Sequence, residues 1–328
     1  GLINILRKLF AVMIPILIQN VITNFVGLLD NIMVGRLGTE QMSGVAIVNQ
    51  LIFVFSLCIF GGISGAGIFT TQFFGKRDDE GVRNSVRVKL YIAVIATAVF
   101  AAVFIFAGEW LITRFLHEGE EALDLAATLG FGKQYLAVML WQMLPFALMQ
   151  VYSGTLRETG ETVVPMAAGI AAIFVNLFLN WVLIFGKLGA PALGVQGAAI
   201  ATLIARFAEL GVVTVWAHTH SSRFTYIKGL YSTLRVPGSL LKRVAIKGTP
   251  LLLNEVLWAS GMTMLNQCYS QRGLEVVSAV NISSTVSNLF FCSFFAMGST
   301  IAIIVGQLLG AGEFERAVDE DRKLIVFS

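Results

Sequence analysis

A single carboxylate, Asp30, interrupts the uncharged apolar run between Lys8 and Arg36. An ionisable group at membrane depth costs roughly 3 kcal/mol on insertion scales, so where one persists it marks an ion or substrate pathway. An acid in that setting can hold a proton, a Na⁺ ion or an organic cation. Gln19, Thr23, Gly27 and Asp30 fall on one helical stripe, with Asn20, Asn24 and Asn31 beside it, so amides and carboxylate together make a polar wedge. Pro15, below the wedge, removes one main-chain hydrogen bond and supplies a place to bend. A polar helix–helix seam is the structural alternative. A second acid, Glu255, lies near the middle of another apolar run, with Thr263 and Asn266 further along the same side.

These residues need helices to carry them, and the composition supplies helices of one kind. The 328 residues are 56% hydrophobic and 13% charged, with a mean hydropathy of +0.78; a soluble domain carries about 25% charge. The chain is therefore an all-α polytopic membrane protein. Runs long enough to cross a hydrocarbon core, about 20 residues each, fall near 9–34, 44–74, 86–112, 131–156, 163–186, 195–217, 240–270 and 276–309. Eight crossings result, and Glu313 to Ser328 opens a ninth. Beginning at Gly1 and stopping in the apolar KLIVFS, the chain reads as a piece of a longer one.

With the N-terminus inside, seventeen Lys and Arg residues fall in the loops expected to be cytoplasmic, from Arg7 and Lys8 through Arg87, Lys89 and Arg157 to Lys323, against Arg36, Arg114, Lys187 and Arg272 outside. That asymmetry sets the orientation and accounts for the basic loops, so nucleic acid is not an expected partner. Nothing in the first helix resembles a cleavable signal peptide, and none is expected. Cys58, Cys268 and Cys292 have no paired spacing, which points away from disulfides, metal and any bound cofactor.

Sliding the chain against itself by 235 residues brings Pro15 onto Pro250, Asn31 onto Asn266, Gly38 onto Gly273 and Glu40 onto Glu275. The same offset pairs Ser64 with Ser299, Gln72 with Gln307, Gly75 with Gly310, Glu80 with Glu315 and Arg87 with Arg322. Six crossings separate the copies, so the second enters from the same side: a parallel repeat about an axis normal to the membrane. Two six-helix lobes are expected. Residues 1–217 are the first lobe, 218–238 a polar cytoplasmic linker, and 239–328 part of the second, with helices 7, 8 and the start of 9.

DNIMVGRLG, QFFGKRD, TLRETGETVVP and GVQGAAIAT, together with the repeat, resemble the multidrug and toxic compound extrusion (MATE) family of antiporters. That resemblance implies two lobes around a central cavity and export of organic, often cationic, drugs or metabolites in exchange for H⁺ or Na⁺. It further implies a monomer in the bacterial inner membrane. Asp30 then matches the first-helix aspartate of the family's cation site and Pro15 the proline where that helix bends. Asn176 and Thr202 stand where that site has an asparagine and a threonine, while Asn180 stands where some members have a second aspartate. Asn176 and Asn180 share a helix face, which suits two side-chain carbonyls on one cation, but one carboxylate fewer leaves a Na⁺ less compensated. Gln150 and Ser153 align with the family's polar network, and Glu255 with an acid that some branches need.

Other readings compete. A lipid-linked saccharide flippase of related architecture would need cations inside its cavity, and only Lys133 and Arg206 fall within the expected helices. Arg206 and Glu209, three apart, are expected to pair with each other. GISG at Gly62 to Gly65 resembles an intramembrane serine protease motif. His117, His218 and His220 all lie at helix ends or in loops, so Ser64 has no base and an enzyme is not expected. A channel would use polar rows too, but would not exchange stoichiometrically.

Overall fold

The computed structural model describes residues 2–116, 124–270 and 274–327. Side chains within them are described except at 2–5, 26–28, 115–116, 263, 266–267, 269–270, 274–282, 285–286, 289 and 327. The described residues form α1 (Leu2–Gly35), α2 (Thr39–Gly75), α3 (Asp79–Leu116), α4 (Leu125–Glu158), α5 (Val163–Phe185), α6 (Val195–Thr219), α7 (Gly238–Ser270), α8 (Leu274–Gly310) and α9 (Phe314–Phe327), with one 3-10 turn at Thr225–Ile227 and no strand among them. Seven of these helices are long and apolar enough to cross a membrane, and the chain is a multi-pass membrane protein. The eighth expected crossing, α7, has the length; Lys242, Arg243, Lys247, Asn254 and Glu255 dilute its apolar character. The expected ninth, α9, is a short charged helix that lays Ala317 and Leu324, seven apart and so on one face, against Leu9, Met297 and Leu308.

Helix ends follow local chemistry. Asp124 caps α4 by accepting from the main-chain N–H groups of Ala126 (3.0 Å) and Ala127 (3.1 Å). Gly186, at φ +65°, ends α5 in the left-handed region that a side chain would disfavour. Small residues then let helices approach, as they must where lipid gives no hydrophobic drive between helices. α2 runs through the middle, packed on α3, α4, α7 and α8, while α6 packs on α4 and α5. Phe55 of α2, wholly buried, stands edge-on to Phe100 at 5.5 Å and meets Phe146 at 6.1 Å between ring centres.

At the α5–α6 crossing a Cβ on Gly197 would lie 2.6 Å from the Leu183 carbonyl oxygen, and Ala198, Ala199, Ala201 and Ala205 continue the small face. This explains GVQGAAIAT. A Gly197→Leu variant is expected to force the helices apart and lower stability by about 1 to 3 kcal/mol, the range for overpacking. Thermal unfolding in detergent measures it, and an unchanged midpoint would show that the crossing yields freely.

The stretch 218–238 is a strap docked on the ends of α3 and α4. Phe224, Tyr226, Ile227 and Leu230 are buried. Arg83 Nε donates to Tyr226 O (3.1 Å), Arg87 Nε to Leu230 O (2.9 Å) and Arg87 Nη2 to Gly229 O (3.0 Å). Tyr226 and Thr159 hydroxyls lie 2.9 Å apart, and burial pushes the Tyr226 hydroxyl up from its ordinary pKa. Arg87 and Lys89, expected in a loop, are therefore inside α3: the helix starts at Asp79 because Asp78 Oδ1 accepts from Gly81 N at 2.9 Å. Lys89, with no exposed surface, pairs with Glu158 of α4 and donates to Thr155 Oγ1 (3.2 Å). Arg157 likewise belongs to the last turn of α4. The helices thus hold more cations than Lys133 and Arg206.

Candidate functional site

Asp30 sits near the end of α1, where that helix packs on α5. Its Oδ1 accepts a 2.6 Å hydrogen bond from Asn180 Nδ2, which also reaches Asn176 Oδ1 at 3.1 Å. Asn176 Nδ2 stands 3.3 Å from Thr202 Oγ1 on α6, a hydroxyl that itself donates to Ala198 O at 3.1 Å. Thr202 therefore has its proton engaged and prefers a donor opposite. Turning the Asn176 amide over would set its Nδ2 2.9 and 3.2 Å from the two Asp30 oxygens, with its Oδ1 facing Thr202. In either orientation the carboxylate is the acceptor on which the chain of amides ends. The four residues, far apart in sequence, meet because Gly197 and its neighbouring alanines bring α6 against α5.

A cleft of about 270 Å³ opens beside Asp30, lined also by Asn49, Ser56, Tyr135, Gln142, Thr202 and Arg206. Tyr135 OH donates to Asn49 Oδ1 (3.1 Å). Arg206 Nη1 holds Glu209 Oε2 at 2.7 Å, as the spacing predicted, and its guanidinium lies 5.5 Å from the Phe146 ring centre. Asn180 Oδ1 and Gln142 Oε1 are buried acceptors without a partner among the described residues. Two acceptors without a donor thus share the cleft with the carboxylate, a chemistry suited to a cation. A protonated Asp30 would need an acceptor for its new O–H, and the Asn180 amide, turned over, would present one.

The other expected site residues lie elsewhere. Gln19, eleven residues before Asp30, is about 16 Å away along the helix; its Oε1 accepts from Arg157 Nη2, and its amide abuts Gly169 of α5. Asn24 turns to α8, donating to Asn20 O (2.9 Å) and Cys292 Sγ (3.1 Å). The wedge on α1 is thus split among three neighbours, α4, α5 and α8. Ser153 is buried against Met149 Sδ at 3.5 Å. Gln150 lines a second cavity, of about 680 Å³, between α1, α2, α4, α7 and α8. Pro15 lies inside α1, which is one continuous helix. Glu255 is half-buried, its Cγ against Gly61 of α2. Asn266, like Thr263, falls outside the described side chains. Sequence reasoning passed over Asn49, Tyr135 and Gln142, whose signal was a lone polar group within an apolar helix.

The MatE family model matches residues 15–182 and 250–328, two segments whose starts are 235 residues apart. Among curated proteins the chain is similar to the "Probable multidrug resistance protein NorM" of Thermotoga maritima, 30% identical over 96% of this chain and 66% of that protein. It is also similar to the "Multidrug resistance protein MdtK" of Pectobacterium atrosepticum, 24% identical over 95% of this chain and 66% of that one. The chain spans just under two thirds of the length of these relatives. Among solved structures, an outward-facing "multidrug resistance MATE family transporter of the MOP superfamily" superposes with a TM-score of 0.80 at 20% identity, covering 97% of this chain and 68% of that chain. A variant of a Vibrio cholerae MATE transporter gives 0.82 at 20% identity, covering 98% and 70%.

Proposed function

The chain belongs to the MatE family, and from that premise we propose that it serves an ion-coupled exporter of organic cations in which Asp30 is the coupling group. The observation that carries this reading is the carboxylate bonded to Asn180 at 2.6 Å beside a cleft that holds two acceptors without a donor. Coupling needs a group that two ligands want and only one can have. A proton or Na⁺ from the outer side neutralises Asp30, and its bond to Asn180 loses the charge that made it strong. α1 is then free to move against α5, with Pro15 as its weak point, and a cationic substrate held by the same carboxylate is released outward. On the inner side a new cation displaces the ion. Asn176, Asn180 and Thr202 position the carboxylate and supply oxygens to the ion. Gln150, which lines the larger cavity, belongs to the substrate path between the lobes, with Ser153 and Glu255 in the polar network around it.

The same reading has the protein in a bacterial inner membrane with its N-terminus in the cytoplasm; the gathering of basic residues where α1, α3 and α7 begin and α2, α4 and α8 end supports that orientation. The first six helices form one lobe, 218–238 the interlobe strap and the rest the second lobe. The exporter is a monomer with no bound cofactor beyond its coupling ion. A lipid-linked saccharide would need free cations for its diphosphate, whereas Arg206 in the cleft is held by Glu209 and Arg157 in the larger cavity is engaged by Gln19.

Everted vesicles holding the full-length protein, with ethidium added to the outside medium, test the reading. Uptake driven by an imposed pH or Na⁺ gradient, and absent without one, is the expected result, and the effective gradient names the ion. Equal movement down either substrate gradient with no ion dependence would identify a channel instead.

A further inference from the structure

The two copies of the repeat touch each other reciprocally at one end of the bundle. A Cβ built on Gly75 of α2 would overlap the main-chain carbonyl of Gln307 on α8, and one built on Gly310 of α8 would overlap the carbonyl of Gln72 on α2. Gln72 and Gln307, like Gly75 and Gly310, are partners at the 235-residue offset, so QFFG and QLLG cross on the pseudo-two-fold axis that relates the copies. Neither obstacle is the end of a flexible side chain; both are backbone. Two further contacts surround the crossing. Gln307 Nε2 donates to the main-chain oxygen of Glu158 at 2.8 Å, tying α8 to the last turn of α4. A Cβ on Gly306 would overlap Thr71 Oγ1 of α2. Immediately behind lies the 680 Å³ cavity, and its lining includes the next repeat pair, Ser64 and Ser299. Gly298 lines that cavity as well, and a Cβ there would meet nothing within 4 Å.

We propose that Gln72, Gly75, Gln307 and Gly310 form the inner gate of the transporter: a glycine-to-carbonyl crossing, latched by Gln307 on Glu158, that seals the interlobe cavity from the cytoplasm and must part to admit substrate. The proposal rests on the transport reading above. A seal of this kind suits a rocking mechanism because it forms by van der Waals contact and one side-chain hydrogen bond, and so can be broken and remade without stranding a buried charge. Its reciprocal geometry also means that both lobes carry the same half of the seal. These four residues are positioning residues, since they hold the lobes together and touch no ion.

The test is thiol labelling in the full-length protein with its native cysteines replaced and Ser299→Cys introduced, using a membrane-impermeant maleimide from either side of oriented vesicles. The parent is expected to be protected from the inner side. Gly310→Ala should raise inner-side labelling by about tenfold or more as the closed state loses its contact, and Gln307→Leu, which keeps the glycines and removes the latch, by a smaller factor. Gly298→Ala on the same helix should raise nothing. Outer-side labelling should fall in Gly310→Ala, whereas a fold merely loosened would label more from both sides. Inner-side labelling within about twofold of the parent in both Gly310→Ala and Gln307→Leu, or a rise on both sides, overturns the gate. If the parent shows the gated pattern yet moves no ethidium, the transport reading fails and the seal stands. If it transports and Gly310→Ala stays closed and active, the gate fails alone.

Discussion

An Asp30→Asn variant of the full-length protein is expected to insert and fold as the parent does while losing gradient-driven export by about a hundredfold or more, equivalent to at least ~2.7 kcal/mol of coupling. The substitution is nearly isosteric, and an asparagine oxygen can still accept from Asn180 Nδ2, now 2.6 Å from Asp30 Oδ1. What disappears is the charge for which ion and substrate compete, and a ligand that binds both states equally shifts neither. Initial rates of ethidium uptake, normalised to protein in the vesicles, measure the loss. Undiminished export would make the chain of Asp30, Asn180, Asn176 and Thr202 a structural seam and move attention to Glu255.

The second large effect concerns stability. Lys89 is fully enclosed, paired with Glu158 and bonded to Thr155, and Glu158 is only 15% exposed. Lys89→Met strands the Glu158 carboxylate and is expected to cost about 3 to 5 kcal/mol. The double variant Lys89→Met with Glu158→Gln should recover more than half of that, because a buried pair contributes little net once its desolvation is counted. Denaturation midpoints in detergent decide the matter. A single variant as stable as the parent would mean that water reaches the pair and that α3 and α4 are held by apolar packing alone.

Most of the helical framework was legible in the chain because lipid imposes a strict rule: apolar runs of sufficient length must be helices. The starts and ends of α2, α5, α6 and α8 came within a few residues of the expected runs. α3 began seven residues early, since amphipathic residues such as Arg83 and Arg87 can stay helical beyond the apolar run when another segment satisfies them, as the 218–238 strap does. α7 came within two residues of its expected run, while α9 was less legible: polar residues facing a neighbour and polar residues facing water look alike in a sequence. The same ambiguity governs the site. Asp30 announced itself by charge, and its approach to Asn180, Asn176 and Thr202 was implied by family resemblance. Periodicity on α1 put Gln19 and Asn24 on one stripe with Asp30, whereas Gln19 meets Arg157 and Asn24 meets Cys292, because a stripe records direction and not depth. Asn49, Tyr135 and Gln142 escaped because no spacing within one helix can show that three helices converge. The repeat, by contrast, was readable at single-residue level, and its matched glutamines and glycines are the ones in reciprocal contact.

The central claim is that substrate and coupling ion compete for the Asp30 carboxylate, and equilibrium binding tests it most directly. Tetraphenylphosphonium binding to purified full-length protein would be titrated across pH and Na⁺ concentration, for the parent and for Asp30→Asn. The account predicts that the parent's apparent Kd rises in proportion as proton or Na⁺ rises, with unchanged capacity, and that the variant binds weakly and without regard to either ion. A parent affinity that ignores both ions, or a variant that keeps the same competition, would contradict it.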